Sequence, residues 1–228
     1  LTGWVILYSA LQTGLMYILN YIGVANTTAT KTSILTAASA FLAVIFAPLF
    51  FRGERVTALK IIGVVIGFSG IIAVNLGDLG GGISFMGEGL VLLATVLNTA
   101  GSFIGKHISK GRVFVTTAFQ LIIGAVLILA VGLVMGGRLI ISTEGVLLTL
   151  YLAFVSAAAF TLWTALLVHH EAGHILVFNL LIPIFGAMWS FFILGERQIL
   201  DPMYLVSVAL ISVGIFLVNY TKKSQKGL

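Results

Sequence analysis

The chain has 228 residues, of which 60% are hydrophobic and 8% charged, with a formal net charge of +5 and no cysteine. Soluble domains carry about 25% charged residues, so a solvated globular surface is excluded, and the missing cysteines exclude disulfides, thiol chemistry and cysteine-ligated metals. A mean hydropathy of +1.17 together with apolar runs of about 20 residues makes lipid the relevant solvent, and basic residues scattered between those runs read as orientation signals rather than a nucleic-acid surface.

Eight candidate membrane spans follow in chain order, over about 3–24, 30–51, 57–75, 88–107, 113–135, 146–168, 174–194 and 202–220. The runs are unbroken rather than alternating, so they predict helices and not the roughly ten-residue strands of a barrel. The connections are short and carry helix breakers: Gly77 to Gly82 with Asp78, Ser109 to Gly111, Gly136-Gly137, and His169 to Gly173. The predicted fold class is all-α integral membrane, with eight transmembrane helices in this chain.

The chain also repeats itself. Gly53-Glu54-Arg55 breaks the apolar stretch that ends Gly70-Ile71-Ile72-Ala73-Val74-Asn75, and Gly195-Glu196-Arg197 precedes a run that ends Gly214-Ile215-Phe216-Leu217-Val218-Asn219. The separations are 142 residues at the break and 144 at the closing segment. Alternating the connections across a bilayer puts nine basic residues on one side (Arg52, Arg55, Lys60, Lys106, Lys110, Arg112, Lys222, Lys223, Lys226) and three on the other (Lys31, Arg138, Arg197). The positive-inside rule assigns the nine, and with them both ends of the chain, to the cytoplasm. The two charged breaks then face opposite sides, so the copies are inverted. The first three spans correspond to the last three, which predicts two further spans before Leu1 and a complete protein of five plus five.

Lys31-Thr32-Ser33-Ile34-Leu35-Thr36, Arg52-Gly53-Glu54-Arg55-Val56, Gly63 and Gly67-Phe68-Ser69-Gly70 resemble the EamA-like branch of the drug/metabolite transporter superfamily. Pro183-Ile184-Phe185 with Leu194-Gly195-Glu196-Arg197 is similar to the second repeat of that family. Gly-Glu-Arg alone is a weak motif, but two copies at matched positions within an eight-span pattern are much stronger. The resemblance implies ten helices in two inverted five-helix repeats around a cavity open to one side at a time. It divides the chain into 1–76, the last three helices of the first repeat; 77–87, a connecting loop; 88–220, the second repeat; and 221–228, a basic cytoplasmic tail. This chain departs from the family pattern in lacking the first two helices.

No acidic residue falls near the middle of a span, so a buried carboxylate for proton relay is not offered. Uncharged polar stripes at helical spacing are. Tyr8, Gln12, Met16 and Asn20 advance by four along the first span. Thr95, Asn98, Thr99, Ser102 and Lys106 share a face of the fourth, and Thr32, Thr36 and Ser39 align with Ala43 and Ala47 on the second. The seventh carries Asn179, Pro183, Gly186 and Ser190. Packing explains many a single Ser or Thr, since hydroxyls bond their own backbone and small residues let helices approach. Amides are harder to satisfy, having four hydrogen-bonding sites, and an aqueous cavity would satisfy them. Pro183 lacks an amide hydrogen and crowds the carbonyl of Asn179, which predicts a free carbonyl beside an amide side chain near mid-membrane.

Trp163 shares a face with Ser156 and Phe160 and, like Trp189, is expected to lie deep, whereas Trp4 and Tyr220 suit the membrane interfaces. Gly63, Gly67 and Gly70 predict a close helix contact. Glu54-Arg55 and Glu196-Arg197 read as interface markers pairing locally. His169, His170, Glu171 and His174 cluster beside a helix-breaking Gly173 and read as a solvated loop. No cofactor or metal is expected, and no phosphate-cradling loop, nucleophile elbow or paired catalytic carboxylates point to an enzyme.

The expected function is a secondary transporter moving a small metabolite, an amino acid or related compound, by alternating access and in the export direction. The bacterial inner membrane is the expected location. The substrate-lining set is Gln12, Asn20, Thr36, Ser39, Asn98, Ser102, Ser156, Trp163, Asn179 and Pro183. The expected partners are the small-molecule substrate and the bilayer, with proton or counter-substrate coupling and a homodimer left open. The alternatives are a non-transporting packing or regulatory subunit and, behind it, an intramembrane enzyme.

Overall fold

The computed structural model describes residues 2–27, 29–74, 84–137, 141–194 and 202–220. The Gly195-Glu196-Arg197 break, the Gly77 to Gly82 connection and the basic tail lie outside them, as do the side chains of Pro183, Gly186 and Ser190. Among the described residues every regular element is helical, and the eight expected spans are all present as helices. They are α1 (Gly3–Ala25), α2 in two halves (Ala29–Ala37 and Ser39–Phe50), α3 (Ala58–Val74) and α4 (Phe85–Ile108). Then come α5 (Val113–Val134), α6 (Thr143–His169), α7 in three pieces and α8 (Pro202–Asn219). The pieces of α7 are a short helix over Ala172–Leu176, a 3-10 segment over Val177–Leu181 and a longer helix over Ile182–Leu194.

Five helices, α1, α4, α5, α6 and α8, are long and apolar enough to cross a membrane. The other three depart from uniform spans of about 20 residues. α3 has 17 residues, α2 is broken at Ala38 and α7 at its 3-10 segment. At the first break the Ala38 amide donates to the Leu35 carbonyl at 3.2 Å, an i to i+3 bond that tightens the turn. At the second, the 3-10 segment makes Pro183 the second residue of the next helix. There a missing amide hydrogen costs little, because the first turn has no intrahelical acceptor for it. The Asn179 carbonyl is therefore not free, as the sequence had suggested: it accepts from the Ile182 amide.

Gly111 and Gly136 end α4 and α5 with φ of 72° and 86°, a left-handed conformation that glycine adopts without a Cβ clash. Ser142 caps α6 by accepting from the Gly145 amide at 3.1 Å.

α2, α3, α7 and α8 share one apolar core, with Ala40 and Val44, Val64 and Ile71, Val177 and Leu180, and Ile211 and Val218 meeting in it. The glycine face of α3 lies directly on α8. A Cβ built on Gly63 would stand 2.7 Å from the Gly214 carbonyl oxygen, and Ser207 Oγ donates to the Gly70 carbonyl at 2.7 Å. Small residues thus let two backbones touch where lipid supplies no hydrophobic drive between helices.

The junction of α1, α5 and α6 is polar instead. Tyr8 Oη donates to Gln120 Oε1 at 2.6 Å and lies 3.3 Å from Thr164 Oγ1, while Gln120 Nε2 donates to Thr13 Oγ1 at 2.9 Å. All four side chains are buried, as bilayer depth requires of polar groups with no water to bond. Outward faces are apolar: Phe114, Val126, Leu147, Leu150 and Phe154 are exposed, as are Trp4 and Tyr220 at helix ends. Trp189 is also exposed within this chain, at 58%.

Candidate functional site

The helix ends sort into two charged clusters. At one end Glu88 at the start of α4 accepts from Thr27 Oγ1 and the Ser84 amide, both at 2.8 Å, and pairs with Lys31 of α2 at 2.9 Å. At the other, Glu54 in the α2–α3 connection pairs with Lys106 of α4, and Lys60 of α3 with Glu171 ahead of α7. The alternation of connections used to count basic residues is thus reproduced by contacts at both ends. Glu54 pairs with Lys106, on another helix, rather than with its neighbour Arg55, which is exposed. His174 stands 3.7 Å from Glu171, and among the described residues no group of three or more His, Cys, Asp or Glu could hold a metal ion.

Between the two ends lies a cavity of about 340 Å³ lined from five helices: α1, α2, α4, α6 and α7. Its size falls within the usual range of about 300–1,000 Å³ for small-molecule pockets. Gln12, Asn20, Thr36, Asn98, Trp163 and Asn179 of the expected set all line it, and Met16, Tyr17, Thr95 and Phe160 add thioether, aromatic and hydroxyl surface. Among the described lining residues none is charged.

Three of the four lining amides hydrogen-bond to other side chains. Gln12 Nε2 donates to Asn98 Oδ1 at 3.0 Å, tying α1 to α4. Asn179 Nδ2 donates to Ser39 Oγ at 2.9 Å, tying the 3-10 break of α7 to the first residue after the break of α2. Gln12 Oε1 is buried against α4 with no hydrogen-bond partner, and a Cβ at Gly101 would come 3.1 Å from the Gln12 Cα. Gly101 is what lets that amide sit there. Thr95 and Thr99 donate to the carbonyls one turn back, at 2.9 Å each, the local bonding expected of hydroxyls in an apolar helix.

The remaining expected residues lie elsewhere. Ser39 is fully buried behind Asn179, and Ser102 is fully buried 3.5 Å from Gln12 Nε2, each one contact removed from the lining. Ser156 is half-buried, one turn along α6 from Phe160, and outside the lining. Pro183 is the second residue of the helix that follows the 3-10 segment of α7, and its side chain lies outside the described residues.

Tyr8 leaves the stripe it seemed to begin. A π turn over Ala10–Gly14, in which the Leu15 amide donates to the Ala10 carbonyl, inserts an extra residue into the helix. Tyr8 is thereby turned to α5 and α6, while Gln12 and Tyr17, five residues apart, both reach the cavity. Tyr17 and the Gln120 cluster were missed in sequence. A lone Gln at the centre of an apolar helix was the one available signal for the cluster.

Comparison with known proteins agrees with an apolar, all-helical membrane fold. The profile of the EamA-like transporter family matches residues 1–76 and 85–220. The chain is 30% identical over 178 residues to a Bacillus subtilis (strain 168) protein named as an uncharacterized transporter, YvbV; the match covers 76% of this chain and 58% of that protein. The chain therefore spans less than two thirds of the curated relative it matches. A crystal structure 16% identical in sequence superposes with a TM-score of 0.76, covering 96% of this chain and 76% of that one, and so shares the fold. An apolar helical chain with a cavity between its helices and a family match over nearly its whole length leads to one conclusion: it is a multi-pass membrane protein that belongs to the EamA-like transporter family.

Proposed function

We propose that the complete protein carries a small, uncharged or zwitterionic metabolite, an amino acid or close relative, out of the cell by alternating access through the cavity at Gln12, Asn98 and Asn179. The observation that carries this reading is the lining itself. Four amides and two hydroxyls face aromatic Tyr17, Phe160 and Trp163 around about 340 Å³, with no charged group among the described lining residues to demand a net-charged cargo. Amides supply both donors and acceptors, which suits carboxylate, amino or amide groups, while the rings take an apolar side chain.

The two broken helices support the mechanism. α2 and α7 are counterparts in the sequence repeat, each interrupts its hydrogen-bond ladder, and the breaks meet at Ser39 and Asn179 beside the cavity. Interrupted helices facing each other at mid-depth are how inverted-repeat transporters combine a polar site with a hinge. On this reading residues 1–76 are the last three helices of a first five-helix repeat and 88–220 a second. The end carrying Glu54, Lys60 and Lys106 faces the cytoplasm, following the excess of basic residues.

This chain contains no cysteine, so single cysteines at Gln12, Asn98 and Asn179, in a full-length protein cleared of any cysteine outside these residues, test the cavity directly. Alkylation by a small polar thiol reagent, slowed by the amino acid that the protein exports in an efflux screen, is the expected result. Unreactive cysteines at all three positions would mean that the stripes are buried helix to helix, as in a packing subunit.

A further inference from the structure

The cavity does not reach the Glu54 end. Against Trp163, which lines it, packs an apolar cluster: Ala43 and Ala47 of α2, Phe103 of α4, Leu167 of α6, and Ala172, Ile175 and Leu176 of α7 are all buried together. Beyond the cluster opens a second space of about 490 Å³, lined by Phe51, Arg52, Lys106, Lys110, His169 and His170 among others. Phe51 packs on the cluster from that side, as Trp163 does from the cavity side. One lining residue of each space thus packs on the same apolar cluster, which we read as a plug between them.

A polar layer backs the plug. Glu54 is 8% exposed and Lys106 equally so, and the two form an ion pair. Glu54 Oε1 also accepts from the Ala172 amide at 2.8 Å, and Oε2 from the Gly173 amide at 3.5 Å, capping the first piece of α7. Lys106 Nζ donates to the His170 carbonyl at 2.6 Å and stands 4.6 Å over the Phe51 ring. Two side chains therefore join the α2–α3 connection, α4 and the start of α7. The piece of α7 they hold ends at the 3-10 break carrying Asn179, so a unit of five residues is pinned at one end and hinged at the other.

We propose that Glu54 and Lys106 are a latch that keeps the apolar plug shut, so that the cavity opens toward the Glu54 end only when their pair separates and the Ala172–Leu176 piece swings away. The proposal rests on the cavity being the transport path. A buried, capped ion pair suits such a role because it is bistable. Intact, it is satisfied on every side; with one partner removed, the other is left as an uncompensated buried charge and water enters.

The test uses the full-length protein with Thr36→Cys as its single cysteine in the cavity, converted to a mixed disulfide, with release of methanesulfinate, by a small charged methanethiosulfonate from either membrane face in cells and inverted vesicles. With the latch intact, labelling from the Glu54 face is slow. Glu54→Gln and Lys106→Met should each raise the rate from that face at least about tenfold, since breaking one side of a buried pair shifts the closed state by more than that. Arg55→Gln, the exposed neighbour, should leave it as it was. Labelling from the opposite face reports that each variant is folded. If Glu54→Gln does not assemble, Lys106→Met, which leaves both amide bonds to Glu54 in place, carries the test. Unchanged labelling from the Glu54 face in both single variants, with normal labelling from the other, would overturn the latch. A cysteine reactive from neither face in any variant would instead overturn the cavity reading beneath it.

Discussion

Asn179 is where packing and binding can be separated by size of effect. Asn179→Ala removes one hydrogen bond within the protein, the 2.9 Å donation to Ser39 Oγ. Interhelical hydrogen bonds in membranes average about 0.6 kcal/mol, with maxima near 1.7 kcal/mol. At about 1.4 kcal/mol per tenfold, the folded population ratio should fall about 3-fold and by no more than about 18-fold. The space vacated adjoins the cavity, so little sealed void is added. A substrate that loses one neutral hydrogen bond loses about 0.5–1.5 kcal/mol, which raises KM by roughly 2- to 13-fold. Ser39→Ala breaks the same interhelical bond but leaves the Asn179 amide facing the cavity. Detergent unfolding should therefore find the two variants equally destabilised, while proteoliposome transport by the full-length protein should find KM raised more in Asn179→Ala. Equal KM shifts would show that Asn179 acts only through its helix contact, and would refute its assignment to the binding surface.

Two further outcomes concern stability. Gly214→Val sets a Cβ 2.7 Å from the Gly67 Cα, so α3 and α8 must part, and a loss of about 1–3 kcal/mol or more is expected in thermal unfolding; Gly132→Val, where a Cβ meets nothing within 4 Å, should change little by comparison. Gln120→Leu strips the acceptor from Tyr8 and the donor from Thr13 in a buried site, and about 1–3 kcal/mol should be lost in the same assay. A smaller loss than that of Gly132→Val would show that the polar junction is not holding α5 in place.

The lipid environment, the eight helices and the places where they turn were legible in the residues, because each depends on composition or on contacts within a few positions. Eight percent charge leaves no other solvent, Gly111 and Gly136 announce backbone that only glycine enters cheaply, and Gly63, Gly67 and Gly70 form a face by spacing alone. Half-legible were the polar stripes. The fourth helix does run from cavity to latch, through Thr95, Asn98, Ser102 and Lys106. The first does not hold its register, because one π turn rotates Tyr8 away from Gln12.

What the sequence by itself determined is which surfaces must avoid lipid: amides, hydroxyls, glycines and the few charges. What it could not determine is how they divide between cavity, glue and latch. Gln12 and Gln120 are the same residue in similar apolar runs, yet one reaches the cavity and the other is sealed between Tyr8 and Thr13. Glu54 looked like the partner of Arg55 and instead meets Lys106, 52 residues away, and Asn179 meets Ser39 across 140. Helical periodicity fixes the direction of a side chain relative to its own helix. Only the crossing of helices fixes what stands opposite, and in a bilayer, where apolar contact with lipid and with protein is nearly equivalent, that crossing is set by small residues and scattered polar pairs rather than by hydrophobicity.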